Sequence, residues 1–243
     1  ALSAERTLQR EGDRRAAAAA VCRRGLEIFI LAFLFRLQAF IISSPNGWLV
    51  SIFKVDILNV MGPAIVAAGL LWALVRSPTG LVIAYGTAAA AVAMLTPVVR
   101  VAPWVGHLPL WVQWHLRPAG EYTAFTLFPW SGFVFAGAAV GVVIARRAQP
   151  APGGDVRAER WLHLALAAGG LALWEVGLYA ASLPSIYQSS SYWTTSPTYF
   201  AVRVGAMMLF LAALYALETL LGAWSGALRF VERFGASSLF VYW

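Results

Sequence analysis

Ionisable and amide side chains standing inside long apolar runs are the residues of this chain best able to do chemistry. Arg36, Asp56, Asn59, Glu175 and Arg203 lie in stretches otherwise built of Leu, Ile, Val, Ala and Phe. One charged side chain at membrane depth costs about 2.5–3.5 kcal/mol on insertion scales, so each needs a partner or a function. A carboxylate can hold or take a proton. Arginine and amide donors can hold an anion or stabilise charge on a carbonyl oxygen. Asp56 and Asn59 stand three apart in K-V-D-I-L-N and share a helix face. His115 and His107 are of the residue type that suits acid–base work and satisfied interfacial positions alike. The sequence contains no H-E-x-x-H, paired-cysteine, G-x-S-x-G or phosphate-loop pattern, so no metal is expected.

Two readings of the charges stand side by side. In one, Arg36–Asp56 and Glu175–Arg203 are structural ion pairs between consecutive helices, which are usually neighbours. In the other, the same groups line a polar cavity open to one side of the membrane. Both can hold together. Glu27 and Glu218, near the opposite ends of their runs, are expected to pair with nearby arginines.

The elements that must carry these groups follow from composition. Of 243 residues, 60% are hydrophobic and only 12% charged, against roughly 45–50% and 25% in soluble domains. The chain is too apolar and aromatic to be disordered. Its single cysteine, Cys22, excludes a disulfide-built domain. The net charge of +7 does not imply nucleic acid, because the arginines sit between apolar runs rather than on the face of a soluble fold. Six apolar stretches, near 25–43, 55–75, 79–99, 123–145, 161–183 and 198–222, can each cross a ~30 Å hydrocarbon core as a helix. A seventh begins near 236. The expected fold is an all-α polytopic transmembrane helix bundle, with six full spans and a truncated seventh over residues 25–243. Residues 1–24 form a polar connecting segment. The chain opens without methionine and closes inside an apolar run, so it is expected to be an internal fragment.

Alternating the loops places thirteen of the eighteen basic residues on the side of the N-terminus. The positive-inside rule makes that side cytoplasmic. Arg36, Glu175 and Arg203 then lie roughly 10, 12 and 8 Å in from the outer end of their spans, and Asp56 sits at the outer mouth of its own. The outer connections 100–122 and 184–197 are rich in Trp, Tyr, Ser and Thr. Such residues suit the headgroup interface, and equally a sugar-stacking vestibule.

Four segments carry a resemblance. RRGLEIFILAFLFRLQAF (23–40), FKVDILNVMGPAIVAAGLLWAL (53–74), FPWSGFVFAGAAVG (128–141) and RFGASSLFVYW (233–243) resemble bacterial members of the heparan-alpha-glucosaminide N-acetyltransferase-like family, within a broader transmembrane acyltransferase superfamily. The resemblance implies a larger helix bundle with acetyl-CoA as donor on the cytoplasmic side. Its acceptor would be the amine or hydroxyl of a sugar or cell-envelope glycan on the far side. It implies catalytic roles for Asp56, Asn59 and Arg36, and a catalytic base on helices preceding this chain. Glu175, Arg203 and His115 enter as substrate-binding candidates, the first two on depth alone. A CoA pocket would draw on arginines such as Arg146 and Arg147. The implied setting is a bacterial inner membrane. The implied partners are membrane lipid and a glycan acceptor, a homo-oligomer being allowed and nucleic acid not. The competing readings are a transporter or flippase for an anionic or lipid-linked molecule, and a non-catalytic envelope subunit.

Overall fold

The computed structural model describes residues 8, 12–43, 49–147 and 156–220. Within them the chain is helical: α1 (Arg14–Ser43), α2 (Ile57–Leu74), α3 (Pro78–Val101), the short α4 (Leu110–Leu116), α5 (Leu127–Arg147), α6 (Val156–Ser182) and α7 (Pro197–Leu220). All but α4 are long and apolar enough to cross a membrane. This is an integral membrane protein with a polytopic helical bundle. The expected seventh span near 236 lies outside the described residues, as does the motif at 233–243.

The helices pair in chain order, apart from α3 with α5. The closest pairs are α1 with α2, α3 with α5, and α6 with α7, and α2 also packs on α5. Glycine sets how closely two of these pairs approach. A Cβ on Gly25 would lie 2.8 Å from the Gly62 carbonyl oxygen, and one on Gly205 would lie 2.5 Å from that of Gly170. Between membrane helices there is no hydrophobic driving force, so backbone contact through small residues supplies the packing. Large apolar side chains such as Ile41, Ile83, Val176 and Phe210 face outward, as a lipid-facing surface requires.

The polar N-terminal segment does not end at residue 24. Helix α1 runs unbroken from Arg14, and its 30 residues span about 45 Å, longer than the hydrocarbon. Its first turns are held by Arg14, whose guanidinium donates to the carbonyls of Trp72 and Val75 at the end of α2 and lies 4.0 Å over the Trp72 ring. A cation at a helix C-terminus also complements its dipole. Glu27 pairs with Arg23 and Arg24, as expected. Glu218 makes no ion pair among the described residues.

The fourth span begins at Leu127, not near 123. Residues before it are held by a parallel bridge between Val55 and Thr123: the Val55 N–H donates to the Tyr122 carbonyl, and the Ala124 N–H donates to that of Val55, both at 2.9 Å. This bridge ties the entry of α2 to the entry of α5. It also fixes the connection 102–126 as an ordered cap, in which Trp114 stacks on Tyr122 at 4.8 Å and the Gln113 amide donates to the carbonyls of Gly106 and Leu108. Trp104 and Trp111 are exposed and suit the headgroup interface, whereas Trp114 is buried inside the cap.

Candidate active site

Helix α2 begins at the site. Asp56 is its N-cap: the Leu58 N–H donates to Oδ1 of Asp56 at 3.0 Å, and the Asp56 N–H donates to Oδ1 of Asn59 at 3.1 Å. This reciprocal capping box satisfies donors that a helix start leaves orphaned. The second carboxylate oxygen, Oδ2, meets Arg36 of α1 at 3.2 Å. The expected Arg36–Asp56 ion pair is therefore made, between adjacent helices, with Asp56 and Asn59 both buried. Both oxygens of Asp56 are engaged, so this carboxylate positions Arg36 and the start of α2.

What the cluster leaves unengaged is more informative. Arg36 Nε and Asn59 Nδ2 are buried and find no hydrogen-bond partner among the described residues. A buried unsatisfied polar atom costs roughly 1–3 kcal/mol, so the cluster is short of acceptors. Both are donors, and a carbonyl oxygen suits them.

His115 packs against α1 at Phe29, two helical turns and about 10 Å along the axis from Arg36. Phe29, Phe33 and Arg36 stand at helical spacing on one face of α1. The Phe29 and Phe33 rings meet at 5.1 Å, and the His115 ring lies 6.4 Å from Phe29. Its Nδ1 is 2.8 Å from the Trp111 carbonyl. A carbonyl only accepts, so the ring proton sits on Nδ1 and Nε2 carries the lone pair. Nε2 is itself buried without a partner. Burial pushes the imidazole pKa down, outweighing the opposing hydrogen bond to Trp111. With its proton donated from Nδ1 to Trp111, His115 keeps Nε2 as its free ring nitrogen, held by the cap rather than by a span. His107, in the short turn before α4, is exposed.

The chain's catalytic-family match can be set against this geometry. The family described as Heparan-alpha-glucosaminide N-acetyltransferase, catalytic, matches residues 1–175. The chain belongs to that family. The match spans α1 to most of α6, so it contains Arg36, Asp56, Asn59 and His115 and ends at Glu175. The function class it brings is a membrane acetyltransferase. No curated protein and no solved structure matches the chain.

The expected Glu175–Arg203 pair is not made. Glu175 is exposed on α6, and Arg203 instead packs 4.6 Å over the Tyr199 ring. Rotation about the helix axes decided the outcome. Gly177 of α6 and Gly205 of α7 face the partner helix. Glu175 and Arg203 each stand two residues from those glycines, about 160° around their own helix at 100° per residue. They point away from the seam between the two helices. Arg203, which lies beyond the family match, lines a pocket with Arg100. By sequence Arg100 opens the outer connection 100–122, whereas the structure places it in the last turn of α3. Its position at the last turn of α3, three residues after Pro97, was the available signal.

Proposed function

We propose that this protein transfers an acetyl group from acetyl-CoA to an amine or hydroxyl of a sugar or cell-envelope glycan, in a bacterial inner membrane with the N-terminal end of α1 on the cytoplasmic side. The observation that carries the reading is the set of unpartnered buried atoms at the start of α2, within a chain of acetyltransferase family. Acetyl-CoA brings the activated thioester. Arg36 Nε and Asn59 Nδ2 donate toward its carbonyl oxygen and stabilise the charge that develops there. Asp56 holds Arg36 in place. His115 Nε2 takes the proton from the acceptor amine or hydroxyl, a role worth about 10²–10⁴-fold. This assigns a base within the chain itself.

The test uses the full-length protein in detergent, with acetyl-CoA and with desulfo-CoA as control. A folded-state ligand at 100 times its Kd adds about 2.7 kcal/mol, so acetyl-CoA should raise the unfolding temperature. Adding an amino sugar should then release free CoA thiol. Neither effect at millimolar acetyl-CoA would overturn the proposal and leave transport of an anionic molecule as the better reading.

A further inference from the structure

Two guanidinium groups share one pocket with no acid beside them. Arg100 of α3 and Arg203 of α7 line a cavity of about 240 Å³ together with Thr126, Trp130, Tyr199 and Phe200. No aspartate or glutamate is among the residues that line it, and neither arginine makes an ion pair among the described residues. Arg100 donates to Thr126 Oγ1 at 3.0 Å and to the Phe128 carbonyl at 3.1 Å, both uncharged, and its Nε is buried without a partner. Among the described residues, Arg203 has the Tyr199 ring beneath it and no ion pair. Two uncompensated cations at the end of one span and inside another are expensive unless an anion joins them.

The wall opposite this charge is apolar. Phe200, its ring 4.5 Å from Phe133, also lines a second cavity of about 480 Å³ between α3, α5, α6 and α7. That cavity is walled by Gly86, Ala93, Ala136, Val140, Leu166 and Val204, with almost no polar surface. A charged pocket and an apolar slot meeting at one residue fit a molecule with an anionic head and a hydrocarbon tail. Basic pockets between membrane helices recognise lipid phosphates in this way, and arginine suits phosphate through paired donors.

We propose that the cleft between α3–α5 and α6–α7 is a binding site for a phosphate-bearing membrane lipid, with the phosphate held by Arg100 and Arg203 and the chain lying past Phe200 in the apolar slot. The site is separate from the Arg36–Asp56 cluster and does not depend on acyl transfer.

The test is native mass spectrometry of the full-length protein in a sugar-headed detergent, titrated with dioctanoyl phosphatidic acid. Dioctanoylglycerol serves as the tail alone and inorganic phosphate as the head alone. Arg203→Gln should weaken phosphatidic acid binding about tenfold or more, and Arg203→Lys, which keeps the charge but not the paired donors, should restore part of it. Gly86→Leu should weaken it as well. A Cβ at Gly86 meets nothing within 4 Å, so this side chain enters the slot without clashing with the fold. Dioctanoylglycerol should bind far more weakly, and millimolar phosphate should not displace the lipid. Three results would overturn the proposal: binding unchanged in both Arg203→Gln and Gly86→Leu, equal binding of dioctanoylglycerol, or displacement by inorganic phosphate. The first means surface lipid only, the second a site blind to charge, the third a free-anion site.

Discussion

Asp56 does two jobs with one side chain, and the residue scale is where they can be separated. It caps α2 by accepting from the Leu58 N–H, and it pairs with Arg36. Asparagine is as good an N-cap as aspartate, so Asp56→Asn should keep the helix start while losing the ion pair. Arg36→Met should be the worse substitution, because it leaves the buried carboxylate without its cation. Removing one partner of a fully buried pair costs about 3–5 kcal/mol. Because Arg36 is 29% exposed, about 2 kcal/mol is expected here. The double variant should unfold closer to wild type than the two single losses add up to, read by thermal unfolding in detergent. At His115 the lowered pKa gives a sign. The unfolded chain takes up a proton first as pH falls through the ordinary imidazole value of about 6.5, so stability is full above that pH and is lost below it. His115→Gln should remove this part of the pH dependence of the unfolding temperature. An equally steep acid loss in the variant would mean that another group carries it. The same substitution should lower acetyl transfer by about 10²-fold or more. His115 and its tautomer were only half legible in sequence: the residue type was plain, but the Trp111 carbonyl that sets the proton is visible only once α4 forms.

At the scale of elements, close glycine contacts decide which helices pair. Gly170 faces Gly205 across α6 and α7, and Gly25 faces Gly62 across α1 and α2. Gly205→Ala would place its Cβ against the Gly170 carbonyl oxygen, a backbone atom that cannot swing aside. It should cost about 1–3 kcal/mol by overpacking. Gly86→Ala, where the Cβ meets open space, should instead gain about 0.5–1 kcal/mol from helix propensity. Chemical denaturation of the two variants side by side reads the contrast, and equal effects would dismiss the close approach as an organising contact. The spans themselves were legible because a run of about 20 apolar residues has one low-energy form in a bilayer. Two of their ends were not. Helix α1 extends back to Arg14 because its polar first turns have the end of α2 to hold them, and the fourth span starts late because Thr123 and Ala124 are taken by Val55.

For the whole molecule, the arrangement makes a topological prediction. If the arginine-rich loops are cytoplasmic, the cap 102–126 and the connection carrying Trp193 face the other side. In a Cys22→Ser background, Trp104→Cys and Trp193→Cys, both at exposed side chains, should react with a membrane-impermeant maleimide in intact cells. Arg76→Cys, at the exposed turn between α2 and α3, should react only after permeabilisation. The reverse labelling pattern would invert the protein and place the Arg36–Asp56 cluster at the cytoplasmic face. The lipid cleft belongs to this scale too, because it exists only between the α3–α5 and α6–α7 pairs and on neither alone.

By itself the sequence determined the membrane class, the helical form and the approximate spans, which follow from local composition and from a rise of 1.5 Å per residue, and four of its motifs carried the family resemblance. Depth alone made Arg36–Asp56 and Glu175–Arg203 look equivalent. Only the tertiary structure separated them, because pairing also requires that two side chains share an azimuth across a helix seam. Arg36 and Asp56 meet across that seam, whereas Glu175 and Arg203 are turned away from theirs by the glycines that bring α6 and α7 together. The same packing set Arg203 beside Arg100, a pairing of like charges that no local pattern encodes, because it depends on α7 lying against α3 and α5.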